Sequence, residues 1–254
     1  MRETTDLYKA LLADYQAGKN GVSVETRLRT GPADRQNSFA TQAFGEDELI
    51  SIQAAKRLFA EDTPSVGNCC SSEITIDMLY TPYIARRVKI IPEVRLTDGT
   101  RHSEWLEKGV FYVDTLRKKS EGSAVEILEI SGYDALRFAE RPYEDPYGMT
   151  QVDAVVGWCI SLLHTDGILI SLEANTKTIL EDASRRGYRI PNAWNGYSCR
   201  ELLGYAAAML GGNFIMNDVG ELQLVPLNSA PMITRYIADS AGSALTVGGV
   251  KLRV

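Results

Sequence analysis

The apolar residues of this 254-residue chain change their spacing once, after Pro142, and that change limits what the chain can fold into. Before it, Ile74, Ile76, Met78 and Tyr80 alternate with Glu73, Thr75, Asp77 and Leu79, the period of a strand buried on one face. After it, Val152, Val155, Val156, Cys159, Ile160 and Leu163 recur at helical spacing as a wide apolar stripe. Strands first and helices afterwards specify a β-rich α+β protein. Residues 1–141 are expected to form a β-barrel or strongly curved sandwich behind an N-terminal helix. Residues 142–227 are expected to form a small α+β domain, and 228–254 the beginning of a second β domain. The length suits two domains, and a content of 44% hydrophobic and 24% charged residues is ordinary for a globular protein.

Local signals divide the chain further. Thr5 or Asp6 can cap a helix over residues 6–16, with Leu7, Leu11, Leu12 and Tyr15 on one face and Gly18 at its stop. Val22, Val24, Thr26 and Leu28 alternate as a strand, residues 31–43 read as a loop, and 48–59 are ambiguous, ELISI reading as strand and QAAKRLFAE carrying helix formers with Ala54, Leu58 and Phe59 helically placed. Strands follow at 73–80, 88–96, 109–114 and 124–131, with an Asp98-Gly99 turn among them. Thr150 with Asp153 makes an approximate capping box before one helix, and Ser198 with Glu201 a sharper one before the next. Residues 168–172 read as a short strand, and the segment up to Gly187 as polar. Gly211-Gly212 ends the last helix, and 213–217 pairs with 221–225 across Asp218-Val219-Gly220. Residues 233–238 and 244–254 read as strands that stop in mid-alternation at Val254. Such an edge needs a partner chain or a continuation of its own chain, and the expectation is a longer protein.

Charge and composition narrow the partners. The net charge is −6 and the pI about 5.1, which opposes sequence-independent grip on nucleic acid over a broad face. The longest basic run, Arg117-Lys118-Lys119, reads as a solvated hairpin turn. No apolar run reaches the ~20 residues that span a bilayer, and the polar start lacks the core of a signal peptide. No membrane insertion is expected, and synthesis and folding in a cytoplasm are. Cys69, Cys70, Cys159 and Cys199 have neither zinc-ligand nor Cys-x-x-Cys spacing, so reduced thiols are expected.

Catalytic motifs are scarce. His102 and His164 cannot make a three-histidine zinc site, and His164 suits a helix C-terminus, where exposed carbonyls favour a cation. Gly204, Gly211 and Gly212 lie in or after a helix rather than behind a strand, the wrong place for a phosphate loop. Glu104, Glu107, Asp114 and Asp134 could pair as glycosidase carboxylates, a chemistry decided by their separation. Trp105, Trp158 and Trp194 could stack on sugar or serve as core or interface aromatics. No catalytic residue, cofactor site or metal site is expected, and the chain is not expected to be an enzyme.

Three segments carry a resemblance. Glu104 to Phe138 reads Gly-x-Phe-x-Val strand, hairpin, strand, and then Gly132-Tyr133-Asp134-Ala135-Leu136 opening a helix. Gly67-Asn68-Cys69-Cys70 is a small-residue turn entering the strand EITIDM. Tyr197 to Leu227 is a capped helix, a Gly-Gly break and a hairpin. In this order they resemble the N-terminal region of bacteriophage tail-tip and baseplate hub proteins, over about residues 22–227. The resemblance implies tail-tube-like β-barrel domains in a homotrimeric ring beneath the tail tube. It also implies tail tube and distal tail proteins as partners, DNA passing without specific binding, and a place in the virion tail. The family shares no catalytic residues, so none is carried over. Two other readings stay open, the N-terminal platform of a tail-associated peptidase or lysin and a carbohydrate-binding adhesin module.

Overall fold

The computed structural model describes residues 4–19, 21–31, 42–60, 63–81, 84, 86–119, 126–190, 196–227, 246–247 and 250–251. Helix α1 (Asp6–Gln16) starts where the sequence places it, with the Thr5 hydroxyl accepting from the Tyr8 amide at 3.1 Å. Thr5 is itself held by Glu104, which accepts from its amide at 2.8 Å and its hydroxyl at 2.5 Å. Leu11 is thereby fully buried.

One antiparallel sheet of eight strands follows: β1 (Ser23–Gly31), β2 (Gln42–Phe44), β3 (Leu49–Ala55), β4 (Glu73–Leu79), β5 (Lys89–Thr97), β6 (Leu106–Glu107), β7 (Phe111–Lys119) and β8 (Ile127–Tyr133). Its order is β2-β1-β5-β7-β8-β4-β3, with β6 added on β5. The alternation read in 73–80 is real: Ile74, Ile76 and Met78 are buried on the inner face with Leu28, Ile90, Phe111, Leu128 and Ile130. Within the ambiguous stretch 48–59, residues 49–55 form strand β3, because β4 is a partner that buries Leu49 and Ile52 in part, and 56–59 form neither helix nor strand.

The sheet is not the closed barrel the strand spacing suggested. Strand β2 has three residues and covers only Leu28 to Thr30 of β1. Below that, the Thr26 amide finds no strand partner on that side among the described residues and donates to the Glu46 carboxylate at 3.3 Å. A second correction concerns Arg117-Lys118-Lys119, which is strand β7 rather than a turn. Lys119 pairs with Asp77 at 3.1 Å and Glu129 at 2.5 Å, and Lys118 lies 3.6 Å from the centre of the Tyr80 ring.

A 3₁₀ helix, Ala135–Glu140, leads into the helical part: α2 (Val152–Thr165), β9 (Ser171–Leu172), α3 (Ala174–Arg185), α4 (Cys199–Met209), β10 (Gly212–Met216) and β11 (Glu221–Pro226). Helix α2 is not capped by Thr150. Its Asp153 amide donates to the Ser184 hydroxyl at 3.1 Å, and that hydroxyl donates back to the Asp153 carboxylate at 2.6 Å. The segment read as merely polar contains α3, which Glu173 caps through Thr176. The Thr176 hydroxyl, fully buried, accepts from the Leu224 amide and ties α3 to β11. A three-stranded sheet β10-β11-β9 lies against these helices, with β9 parallel to β11. The strand expected at 233–238 lies outside the described residues. Farther on, β12 (Thr246–Val247) pairs antiparallel with β13 (Val250–Lys251). No described helix is long and apolar enough to cross a membrane.

Gly132 sits in β8 between β4 and β7, where a Cβ would lie 2.7 Å from the Tyr112 carbonyl oxygen. Gly132→Ala should push the β7–β8 ladder apart and cost about 1–3 kcal/mol, in line with other overpacked cores. Urea unfolding of the two proteins measures it, and an unchanged midpoint would show that the ladder yields freely.

Candidate functional site

The largest buried core mixes residues from both parts of the chain. Cys69, Tyr112, Ala135, Leu136 and Ala139 pack in one cluster with Val155, Cys159, Leu202, Leu203, Ala206 and Phe214. The segment leading into β4 runs through this cluster, and its backbone polar groups must find partners there. Phe214 donates its amide to the Asn68 carbonyl at 2.9 Å and Gly67 donates to the Gly212 carbonyl at 2.9 Å, so residues 67–69 flank β10 like a parallel strand. Asn213, fully buried, accepts from the Asn68 amide at 2.8 Å and donates to the carbonyls of Leu58 and Ser65, each at 2.9 Å. Helix α4 passes over Gly67, and a Cβ at Gly204 would stand 2.8 Å from the Gly67 carbonyl oxygen.

Arg200 completes the clamp. It stands in the first turn of α4, behind a full capping box in which Ser198 and Glu201 satisfy each other's amides. Its guanidinium donates to the Cys69 carbonyl and, at 2.6 Å, to the Leu136 carbonyl, while its Nε meets Glu140 at 2.5 Å. One planar fork thus joins the loop before β4, the 3₁₀ helix and α4.

Asp134 lies at the same junction, with 2% of its surface exposed. Its carboxylate accepts from the Ser72 amide at 2.7 Å and the Leu136 amide at 3.0 Å, and its own amide donates to the Ser72 carbonyl. Burial pushes the carboxyl up to about 6 from its ordinary value, against the pull of those amides and of Arg200. Burial likewise pushes the neighbouring Cys69 thiol up to about 12. Cys159 and Cys199 share a hydrogen bond that raises the first thiol and lowers the second, and all four cysteines are free.

The residues weighed for chemistry are dispersed, and most of those described have a structural partner. Glu104 holds Thr5, Glu107 pairs with Arg29 at 2.7 Å, Asp134 caps the 3₁₀ helix, and Asp114 is exposed on β7. His102 lies 3.7 Å from Glu25, and His164 hydrogen-bonds the Ile170 backbone at the end of α2. Trp105 is stacked by Arg27 and Arg95, at 4.2 and 4.5 Å from its ring centre. Trp158 donates to the Glu144 carbonyl at 2.6 Å, and Trp194 lies outside the described residues. Gly212 serves close packing, since a Cβ there would stand 2.6 Å from the Val225 carbonyl oxygen. Among the described residues no group of three or more His, Cys, Asp or Glu is arranged to hold a metal ion. Sequence reasoning passed over Arg200 and Asn213. The signal for the second was a polar residue on an otherwise apolar strand, directly after Gly211-Gly212.

No family model and no curated protein matches this sequence. Solved structures to which the chain is similar include the 43 kDa tail protein of prophage MuSo2 from Shewanella oneidensis, at 15% identity and TM-score 0.46, covering 88% of this chain and 58% of that one. A tail protein from Neisseria meningitidis MC58 follows at 14% identity and TM-score 0.44, covering 89% and 58%. A chain of the half-lidded Francisella PdpA-VgrG complex has 11% identity and TM-score 0.46, covering 95% and 39%. This chain therefore spans less than two thirds of the length of each of them.

Two predictions come from the clamp. Arg200→Ala leaves the Cys69 and Leu136 carbonyls without their donor and should cost about 2–4 kcal/mol, since each unmet buried group costs about 1–3. Arg200→Lys should restore less than half, because an ammonium cannot reproduce the fork. Thermal unfolding of the three proteins decides it. The second concerns pH. The Asp134 pKa is higher in the folded than in the unfolded state, so its stabilising effect is complete below pH ~4 and lost as pH rises through 6. From pH 4 to 6.5 the wild type should lose on the order of 2–3 kcal/mol relative to Asp134→Asn. Parallel denaturation curves with no such convergence or divergence would contradict this assignment.

Proposed function

We propose that this chain is a structural subunit of a phage or prophage tail tip, part of a baseplate hub that links the tail tube to the tip and lets DNA pass. The observation that carries the reading is where the resembling segments meet. The turn at 67–70, the Gly132–Leu136 motif and the Ser198–Phe214 stretch are far apart in sequence, yet they form one junction. Such a junction fixes the sheet against a helical layer, a positional task that suits a part in an assembly. In this reading the activity is assembly rather than catalysis, and no cofactor or metal takes part.

The subunit would be made in the bacterial cytoplasm, associate as a homotrimer, and contact tail tube and distal tail proteins in the virion. Its net charge of −6 favours a conduit over a binder, because each phosphate neutralised by a basic wall adds affinity through released counterions. Symmetric association would also give the partly unpaired edges of the open sheet a partner.

The test is the mass of the protein expressed from its whole reading frame. Light scattering should give a trimer that binds purified tail tube protein, with more Asp and Glu than Lys and Arg on the channel wall. A monomer at high concentration, or a wall lined with arginine, would defeat the hub reading. Cell-wall lysis in a zymogram would favour the peptidase platform, and glycan-array binding the adhesin.

A further inference from the structure

Between the 3₁₀ helix and the start of β5, beside the junction, lies a groove of about 480 Å³. Arg86, Arg87 and Arg137 project at it, all three exposed, and none forms an ion pair with another described residue. Its floor is aromatic. Tyr112 and Phe138 meet edge to face at 5.4 Å, and Arg137 lies 5.3 Å from the centre of the Tyr133 ring. Arg87 has a left-handed backbone, φ 63°, held by its amide donating to the Val113 carbonyl at 2.8 Å. A non-glycine residue in that region is uncommon and persists where its surroundings over-determine it.

We propose that this groove is a docking site for an acidic, extended segment of another protein chain. The composition is that of an interface centre, where arginine and tyrosine are enriched and lysine is depleted. The charge balance points to carboxylates. Two acidic side chains share the groove, Asp114 and Glu140, and Glu140 is taken by Arg200 at 2.5 Å. Among the described residues three guanidinium groups therefore face one uncommitted carboxylate, an excess of cation on a chain that is acidic overall. Guanidinium forks bind carboxylates in two-point pairs, and apolar side chains of the same segment can lie on the aromatic floor. A nucleic acid fits less well: its evenly spaced phosphates would bring one charge against Asp114, whereas a peptide can set a backbone amide there. Asp114 stands at the register shift in β7, which turns it out of the ladder.

The experiment is fluorescence polarisation of the full chain with a fluorescein-labelled Glu-Leu repeat peptide at low ionic strength. Saturable binding is expected, weakened at least roughly tenfold when Arg86, Arg87 and Arg137 are all changed to Glu. Asp114→Asn should tighten binding by about threefold, as the one competing carboxylate is neutralised. Lys118→Glu, elsewhere on the surface, should leave binding unchanged. Circular dichroism confirms the fold of each variant. Absence of saturable binding, an equal loss with Lys118→Glu, or tighter binding of a dT oligonucleotide that the arginine variant abolishes would each overturn the proposal.

Discussion

The structure depends on how residues 67–72, with Cys69 and Ser72 buried and the rest partly covered, find partners for their polar groups. This stretch enters β4 through the largest core, and an unpaired peptide group there would cost as much as a whole substitution usually does. No regular ladder serves all of it. Instead Asn213 takes up Ser65 and Asn68, Arg200 takes up Cys69, Asp134 takes up Ser72, and the edge of β10 takes up Gly67 and Asn68. These partners come from β10, α4 and the N-cap of the 3₁₀ helix, so one short segment fixes the mutual placement of the sheet, the 3₁₀ helix, α4 and β10.

That arrangement explains the small residues around it. Gly67 and Gly204 let a helix and a loop approach to backbone contact, and Gly132 lets β8 carry Tyr133 and Asp134 close beneath β7. The same closeness excludes water, which is why the Asp134 carboxyl is pushed up although two amides point at it. An ionisable group so placed couples the junction to pH in the acid range.

The outer face of β1 and β5 shows a different balance. Arg27 and Arg29 both reach Glu93, Arg29 reaches Glu107, and Arg95 reaches Glu25, with Trp105 laid over two of the guanidinium groups. Glu93 is 3% exposed, so this ladder is more than a solvated surface. Removing both Arg27 and Arg29 would strand the buried Glu93 carboxylate, a larger loss than an exposed pair would give. Residues that suggest chemistry in the sequence, such as Glu107 and Trp105, are thereby accounted for as packing and charge balance.

Much was legible in the residues alone, because some physics is local. The Thr5 cap, the Ser198–Glu201 box, the Asp98-Gly99 turn and the alternation of Ile74, Ile76 and Met78 each depend on neighbours a few positions away. The α+β class follows from such periods. What escaped was decided at a distance. Residues 49–55 became a strand because β4 was there to pair with, and α2 was capped by Ser184 from another helix rather than by Thr150. The sheet stayed open because its terminal strands, β2 and β3, do not pair with each other among the described residues. Arg200 and Asn213 drew no attention, since a side chain that serves backbone groups more than a hundred residues away leaves no periodic trace. Local propensity and pattern belong to the sequence; which polar groups end up buried together is settled only by packing.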